Sequence, residues 1–467
     1  MSEEARRAAV IAALMAFWWV SEPIPLAATA LLPIAAFPLA GIANLETTAQ
    51  SYAHPLILLF LGGFMLAAAM ERWQLHRRIA LGAVVVSGRK PRALVLAMML
   101  ATAFVSLWVS NTATAMVMVP IAASLLSARR SEQTGSSNGE AHPHACGEAR
   151  QEEDAFGAAL ILGIAFSATI GGMGTLIGTP PNALFAAVME KSYGVSIGFG
   201  QWMLIGLPIV LVLIPITWLV LTRIAFRVPD AELPAAAFPA APETMSRGER
   251  FVAVVLAATA VAWIFRPWLS KLLGTAALSD AGIAITAALV LFLMPERWVG
   301  SRALLEWDDV KGIRWDVLIL FGGGLALADA IGSSGLADWI GSRVGGLRGL
   351  PVAGLVLVMM VVVVYLGELA SNTAVAAMFL PIAGAASYGL GAHPLDLALP
   401  VALAASLGFM LPVATPPNAI AYGTGAVTAR QMLRAGAILD VISIFVVYAA
   451  AMTLGPVIFG LKALRAY

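Results

Sequence analysis

Charge is what this sequence has least of. Only 12% of its 467 residues are Asp, Glu, Lys or Arg, against 60% apolar, and the mean hydropathy is +0.87. That is about half the charge of an ordinary soluble domain, which excludes a soluble globular protein and indicates a polytopic membrane protein. The net charge of +1 leaves no basic surface for nucleic acid. Cysteine is almost absent: Cys146 stands alone and cannot form an internal disulfide. Catalytic groupings are missing too. No Ser-His-Asp set and no pair of carboxylates is visible in the apolar stretches, which argues against an intramembrane enzyme and gives no footing for an organic cofactor.

Long apolar runs are what the sequence does have. They extend over roughly 17 to 25 residues, the length a helix needs to cross a hydrocarbon core of about 30 Å, and they lack the alternation of an outer-membrane barrel. An all-α bundle follows. Of the 28 lysines and arginines, 19 fall in 71–92, 127–155, 223–250, 296–316 and 430–434, which a single threading places on one side. The positive-inside rule makes that side cytoplasmic and leaves the N-terminus outside.

A duplication underlies the pattern. "LILLFLGGFMLAAAM" (56–70) aligns with "VLILFGGGLALADAI" (317–331), Phe60 on Phe321, and the same offset of 261 carries Ser110-Asn111-Thr112 onto Ser371-Asn372-Thr373. "GTPPNA" (178–183) and "ATPPNA" (414–419) follow in the same order, the change of offset being absorbed by a polar insert over 127–155 in the first half only. In the threading above, 56–70 runs inward and 317–331 outward. The repeats are therefore inverted, as in secondary transporters whose site lies near the midplane between broken helices.

Each triplet interrupts an apolar helix. In 93–126 about fifteen apolar residues lie on either side of it, and fifteen residues of helix reach only about 22 Å. Limbs that short predict a re-entrant hairpin; 351–386 reads the same way with longer limbs. Non-helical backbone at membrane depth needs partners for its N–H and C=O groups. Pro180-Pro181 are expected to free the carbonyls of Leu176 and Ile177, and Pro416-Pro417 those of Pro412 and Val413. Carbonyls suit a small cation, and the half-helix N-termini after each break suit an anion. Cation and anion sites in contact are what a symporter requires, since each ligand strengthens the other's binding.

"SNTATA", "SNTAVA", "GTPPNA" and "LPVATPPNAIAYG", with "WWVSEPIPLAATALLP" (18–33), resemble the divalent anion–sodium symporter (DASS) family, transporters of succinate, malate, fumarate, citrate and sulfate. The resemblance covers nearly the whole chain. It implies an inverted-repeat transporter with two re-entrant hairpins and broken helices, working as an elevator and as a homodimer among membrane lipid. It implies a first Na⁺ site at Ser106, Ser110, Asn111 and Gly178, and a second at Gly367, Ala370, Asn372 and Ala414. The anion would meet Asn111, Thr112 and Thr179 on one side, and Asn372, Thr373, Thr415 and Pro416 on the other. Family members often carry Thr or Ser where this chain has Gly367. They also place a transmembrane helix before the "WWVSEPIP" segment, so a native start upstream of Met1 is expected, which sequencing the native N-terminus would check.

The implied activity is Na⁺-coupled symport of C4-dicarboxylates such as succinate, malate and fumarate across an inner (plasma) membrane, with no nucleic-acid partner. A Na⁺-independent dicarboxylate exchanger and a Na⁺/sulfate symporter are the alternatives; a passive channel or a membrane hydrolase is a more distant one. The chain divides into scaffold helices of the first repeat (1–92) and its transport part (93–227, with hairpin 93–126, insert 127–155 and the broken helix at GTPPN). The second repeat follows with scaffold helices (228–350) and a transport part (351–467, with hairpin 351–386, the broken helix at ATPPN and the last helix). Five further groups stand out. Glu368 beside the second triplet is either a proton or cation group, or a carboxylate that faces a water-filled cavity or is satisfied by the hairpin's free N–H groups. Asp329 reads as a structural ion-pair partner and Glu22 as a helix cap or interfacial group. Trp18 and Trp19 read as interfacial anchors. His142, His144 and Cys146 are too few and too irregularly spaced for a zinc site in what reads as a solvated loop.

Overall fold

A computed structural model describes residues 1–136, 143–229, 232, 244–275, 277–296, 302–347 and 351–460, with the backbone alone for 128–136 and 143–153. Among the described residues every regular element is a helix, apart from one isolated bridge between Pro295 and Ala303. Six of these helices are long and apolar enough to cross a membrane, or seven if Arg247–Ile264 and Arg266–Leu272, bent by 82°, form one span. Prolines set several of the helix starts. Pro55, Pro91, Pro180, Pro394 and Pro416 each open a helix, where a missing N–H costs no intrahelical bond. His54 and His393, at segment ends in the sequence, are N-caps whose Nδ1 atoms accept from Leu56 and Leu395 at 3.3 and 3.2 Å.

The duplication is carried by whole elements. Pro55–Arg72, Leu75–Val86, Pro91–Ser106 and Asn111–Ser136 recur as Trp315–Ser333, Leu336–Val344, Val352–Gly367 and Asn372–Leu390. Leu75 and Leu336, Asn111 and Asn372, and the in-helix Pro120 and Pro381 all keep the same offset. Pro180–Tyr193 recurs as Pro416–Gly423. Equivalent phenylalanines Phe60 and Phe321 meet edge to face, centroids 4.9 Å apart, as residues on a pseudo-two-fold axis do.

The first limbs of both hairpins, Pro91–Ser106 and Val352–Gly367, have 16 residues each, about 24 Å of helix and short of a bilayer core. The return limb Asn111–Ser136 runs into the polar insert, and Pro143–Gly172 begins inside it. The stretch read as a solvated loop is therefore helical at both ends, because "SARRSEQ" and "EARQEED" are made largely of good helix formers. The side chains of His142, His144 and Cys146 fall outside the described residues.

The two repeats interlock at the centre. Pro416–Gly423 of the second repeat packs against Asn111–Ser136 and Pro143–Gly172 of the first, while Pro180–Tyr193 of the first packs against Asn372–Leu390 and Pro394–Ala404 of the second. Phe166 and Phe409 meet across that joint at 5.2 Å. Outside it, Pro55–Arg72 lies on Asp280–Leu293 and Arg247–Ile264. Trp19 departs from the interfacial-anchor reading: it is fully buried, and its Nε1–H donates to Leu26 O at 3.3 Å.

Candidate functional site

The broken helices are broken more widely than the prolines alone require. Pro143–Gly172 and Pro180–Tyr193 are separated by seven residues, Pro394–Ala404 and Pro416–Gly423 by eleven. Leu176, Ile177, Pro412 and Val413 thus lie in the non-helical stretches themselves. The expectation that Pro-Pro robs them of helical partners is corrected, since prolines in a first turn displace no bond.

Asparagine fills the need the breaks create. Asn182 Nδ2 donates to the carbonyls of Gly172, Met173 and Thr175 at 3.1, 3.4 and 2.7 Å, and its equivalent Asn418 donates to Gly408 and Leu411 at 3.3 and 3.0 Å. Both side chains are wholly buried. The last residue of each TPPN is therefore a clamp for the loop, a role that residue type alone did not reveal. Gly408, at φ +153°, adopts a backbone that L side chains rarely reach.

Each tip is tied to its break through equivalent positions by different chemistry. In the first repeat Thr175 Oγ1 donates to Leu107 O at 2.5 Å. In the second, the positions equivalent to 107 and 175 are Glu368 and Leu411. The Glu368 carboxylate accepts from the N–H groups of Met410 and Leu411 at 3.0 and 2.8 Å. Glu368 is buried and does not line the cavity; its N–H partners belong to the break, not to the hairpin as the sequence suggested. Asp440, fully buried on Ala429–Phe459, interacts with it.

Between the tips and the breaks lies a cavity of about 580 Å³. Asn111–Ser136, Pro180–Tyr193, Asn372–Leu390 and Pro416–Gly423 all begin at its wall, so four positive dipole ends meet there; first-turn N–H groups come from the two helices that open on Asn, since the two that open on Pro-Pro have none at their first two positions. All seven residues expected to meet the anion line it: Asn111, Thr112, Thr179, Asn372, Thr373, Thr415 and Pro416. Thr179 makes no side-chain capping bond, which leaves its hydroxyl available; Thr415 Oγ1 accepts from Asn418 N–H at a long 3.4 Å.

Of the residues expected to hold cations, Ser110, Asn111, Gly178, Ala370, Asn372 and Ala414 line the same cavity, and Ser106 and Gly367 lie just behind it. Ser106 Oγ is 2.9 Å from Asn111 Oδ1 and 2.6 Å from Ala168 O. A Cβ on Gly172 would collide with Asn111 Oδ1, and one on Gly178 with Gly172 O. Oxygen atoms thus converge where the C-terminal ends of Pro91–Ser106 and Pro143–Gly172 meet. On the other side Asn372 Oδ1 is buried with no hydrogen-bond partner, and a Cβ on Gly367 would stand 3.3 Å from it. An orphaned buried oxygen at a helix C-terminus fits a small hard cation.

Sequence reasoning missed the apolar wall of Phe64, Val317, Leu369 and Val413, and two charged lining residues, Glu22 and Arg314. Glu22 is, as read, a helix cap, with its left-handed backbone at φ +47° closing Glu3–Ser21, but it also faces the cavity. Asp329 pairs with Lys191, in line with its structural reading.

Inverted repeats closing four helix N-termini around one cavity define a multi-pass membrane transporter of the secondary type, not an enzyme. The chain belongs to the sodium:sulfate symporter (DASS) family: the family described as "Sodium:sulfate symporter transmembrane region" matches residues 1–461. It is 38% identical over 454 residues to the "Sodium-dependent dicarboxylate transporter SdcS" of Staphylococcus saprophyticus and to that of Staphylococcus aureus strain USA300, covering 96% of this chain and 85% of each relative. Two solved structures share the fold at low identity. The YdaH transporter of Alcanivorax borkumensis has TM-score 0.57 and 14% identity over 90% of this chain and 88% of its own. MtrF of Neisseria gonorrhoeae has TM-score 0.55 and 11% identity over 87% and 83%.

Proposed function

We propose that this protein is a Na⁺-coupled importer of C4-dicarboxylates such as succinate, malate and fumarate, seated in the inner (plasma) membrane. Two features support the reading together: the relatives named as sodium-dependent dicarboxylate transporters, and a cavity in which four helix N-termini face one another. Asn111, Thr112 and Thr179 take one carboxylate; Asn372, Thr373, Thr415 and Pro416 take the other. Na⁺ sits behind each tip, the first ion among Ser106, Ser110, Asn111 and Gly178, the second among Gly367, Ala370, Asn372 and Ala414. Both ions bind first and order the tips, so that the N–H, amide and hydroxyl donors of the anion site are in place when the dianion arrives. The hairpins and broken helices (93–227 and 351–467) move together as an elevator against scaffold helices (1–92 and 228–350) in a homodimer.

Radiolabelled succinate uptake into proteoliposomes under an inward Na⁺ gradient, compared with K⁺ and with or without internal succinate, tests the reading. Na⁺-driven uptake into empty vesicles is expected. Uptake only into succinate-loaded vesicles, indifferent to Na⁺, would make the protein an exchanger. Uptake of sulfate with succinate excluded would make it a sulfate symporter.

A further inference from the structure

The binding cavity does not end at the tips. A vestibule of about 620 Å³ adjoins it on the end that carries Glu71, Arg72, Asp308 and Asp309, the end the lysine and arginine count assigns to the cytoplasm. The two spaces share four residues: Ser110 and Thr112 from the first tip, Phe64 from Pro55–Arg72, and Arg314 from the turn before Trp315–Ser333. These four residues form the neck between the two spaces.

Arg314 is the single cationic side chain among the residues lining the binding cavity. The other vestibule arginine, Arg72, is held by Asp309 and, at 3.4 Å, by Glu306. Arg314 is held on one edge only: Nε lies 2.9 Å from Asp316 Oδ1 and Nη2 lies 2.8 Å from Asp316 Oδ2. Its side chain is 45% exposed, and its Nη1 group makes no hydrogen bond. A guanidinium with one edge on a carboxylate still has donors for a second. Arg314 also sits outside the hairpins, as the N-cap of Trp315–Ser333, whereas the anion donors sit on the tips and the breaks.

We propose that Arg314 is a one-sided substrate contact, meeting a carboxylate of the dicarboxylate at the neck when the tips face the vestibule and losing it when the tips move away. This rests on the transport reading above and on its division into moving and fixed parts. Asp316 competes for the same guanidinium and limits how tightly the substrate is held there, which favours release.

The test uses proteoliposomes of known orientation and reads half-saturating succinate separately at each face for wild type, R314Q, R314K and D316N, under saturating Na⁺. R314Q is expected to raise the cytoplasmic-face value about tenfold, a typical size for one charge-assisted contact, and to leave the external-face value alone. R314K is expected to recover most of the loss, and D316N to lower the cytoplasmic-face value a few-fold. Equal shifts at both faces, or none at either, would overturn the one-sided contact while Na⁺-driven uptake by the wild type still stood. Wild-type vesicles without saturable succinate flux would overturn both. Should R314Q fail to insert, D316N decides, since it leaves the guanidinium in place: a cytoplasmic-face value unchanged or raised would sink the proposal.

Discussion

Two asparagines at equivalent positions have been given different neighbours by one substitution between the repeats. Asn111 Oδ1 has the Ser106 hydroxyl at 2.9 Å, whereas the position equivalent to Ser106 is Gly367, and Asn372 Oδ1 is left buried without a partner. A buried acceptor left unpaired costs about 1–3 kcal/mol, so this oxygen is poised for a cation that replaces the missing donor. Asn111→Ala and Asn372→Ala are each expected to abolish Na⁺-driven succinate uptake. Asn372→Ala, which gives up no hydrogen bond of this side-chain oxygen, should leave the melting temperature in detergent close to wild type. Normal uptake by either variant would remove the basis for the site. Gly367→Ser addresses the asymmetry itself: its Cβ would sit 3.3 Å from Asn372 Oδ1, close enough for the hydroxyl to join the cation shell after a small adjustment. The half-saturating Na⁺ concentration should fall several-fold, and a rise would mean that the serine fills the space the ion needs.

At the level of the element, the tips and the breaks behave as one piece because something ties them together. In the second repeat that tie is Glu368, whose two oxygens hold two N–H groups of the break. Glu368→Ala strands both, and at about 1–3 kcal/mol for each unpaired buried group the loss should be plain as a lower melting temperature in detergent. Glu368→Gln keeps one acceptor and should lose less; equal losses would show that the charge, not the bonding, matters. Which parts of this arrangement could be read from the sequence follows from their range. The repeat offset already located Asn111 and Asn372, Pro180 and Pro416 as helix starts, because caps and prolines act on their immediate neighbours. The seven cavity-lining residues proposed to meet the anion came with them through the family resemblance. The width of the breaks did not, since it depends on Asn182 and Asn418 reaching back seven and ten residues to clamp carbonyls. Nor did the partners of Glu368, more than forty residues away, or the neck formed by Phe64 and Arg314. No local periodicity encodes such meetings; they follow from how the two repeats interlock.

For the whole molecule, the elevator reading gives weight to a contact made at the end away from the vestibule. There Lys191, on the half-helix Pro180–Tyr193, forms an ion pair with Asp329 on Trp315–Ser333. Ser51 bridges it, its Oγ accepting from Lys191 Nζ at 2.7 Å and donating to Asp329 Oδ2 at 3.1 Å. On the elevator reading the first helix moves and the other two segments do not, so an outward stroke must pull the pair apart. A partly exposed ion pair contributes about 1 kcal/mol or less, enough to bias a two-state equilibrium about fivefold but not to lock it. Asp329→Asn should therefore shift the protein toward the outward-facing state. Half-saturating succinate would fall at the external face and rise at the cytoplasmic face, the two factors together making up the shift in the equilibrium. That reciprocal pattern is what separates a change of population from the loss of a substrate contact, which at Arg314 moves one face alone. The exchanged pair Lys191→Asp with Asp329→Lys restores attraction in the same place and should bring both values back toward wild type. Failure of the exchange to do so, with the single variant shifting both faces in the same direction, would mean that the pair supports the fold and takes no part in the stroke.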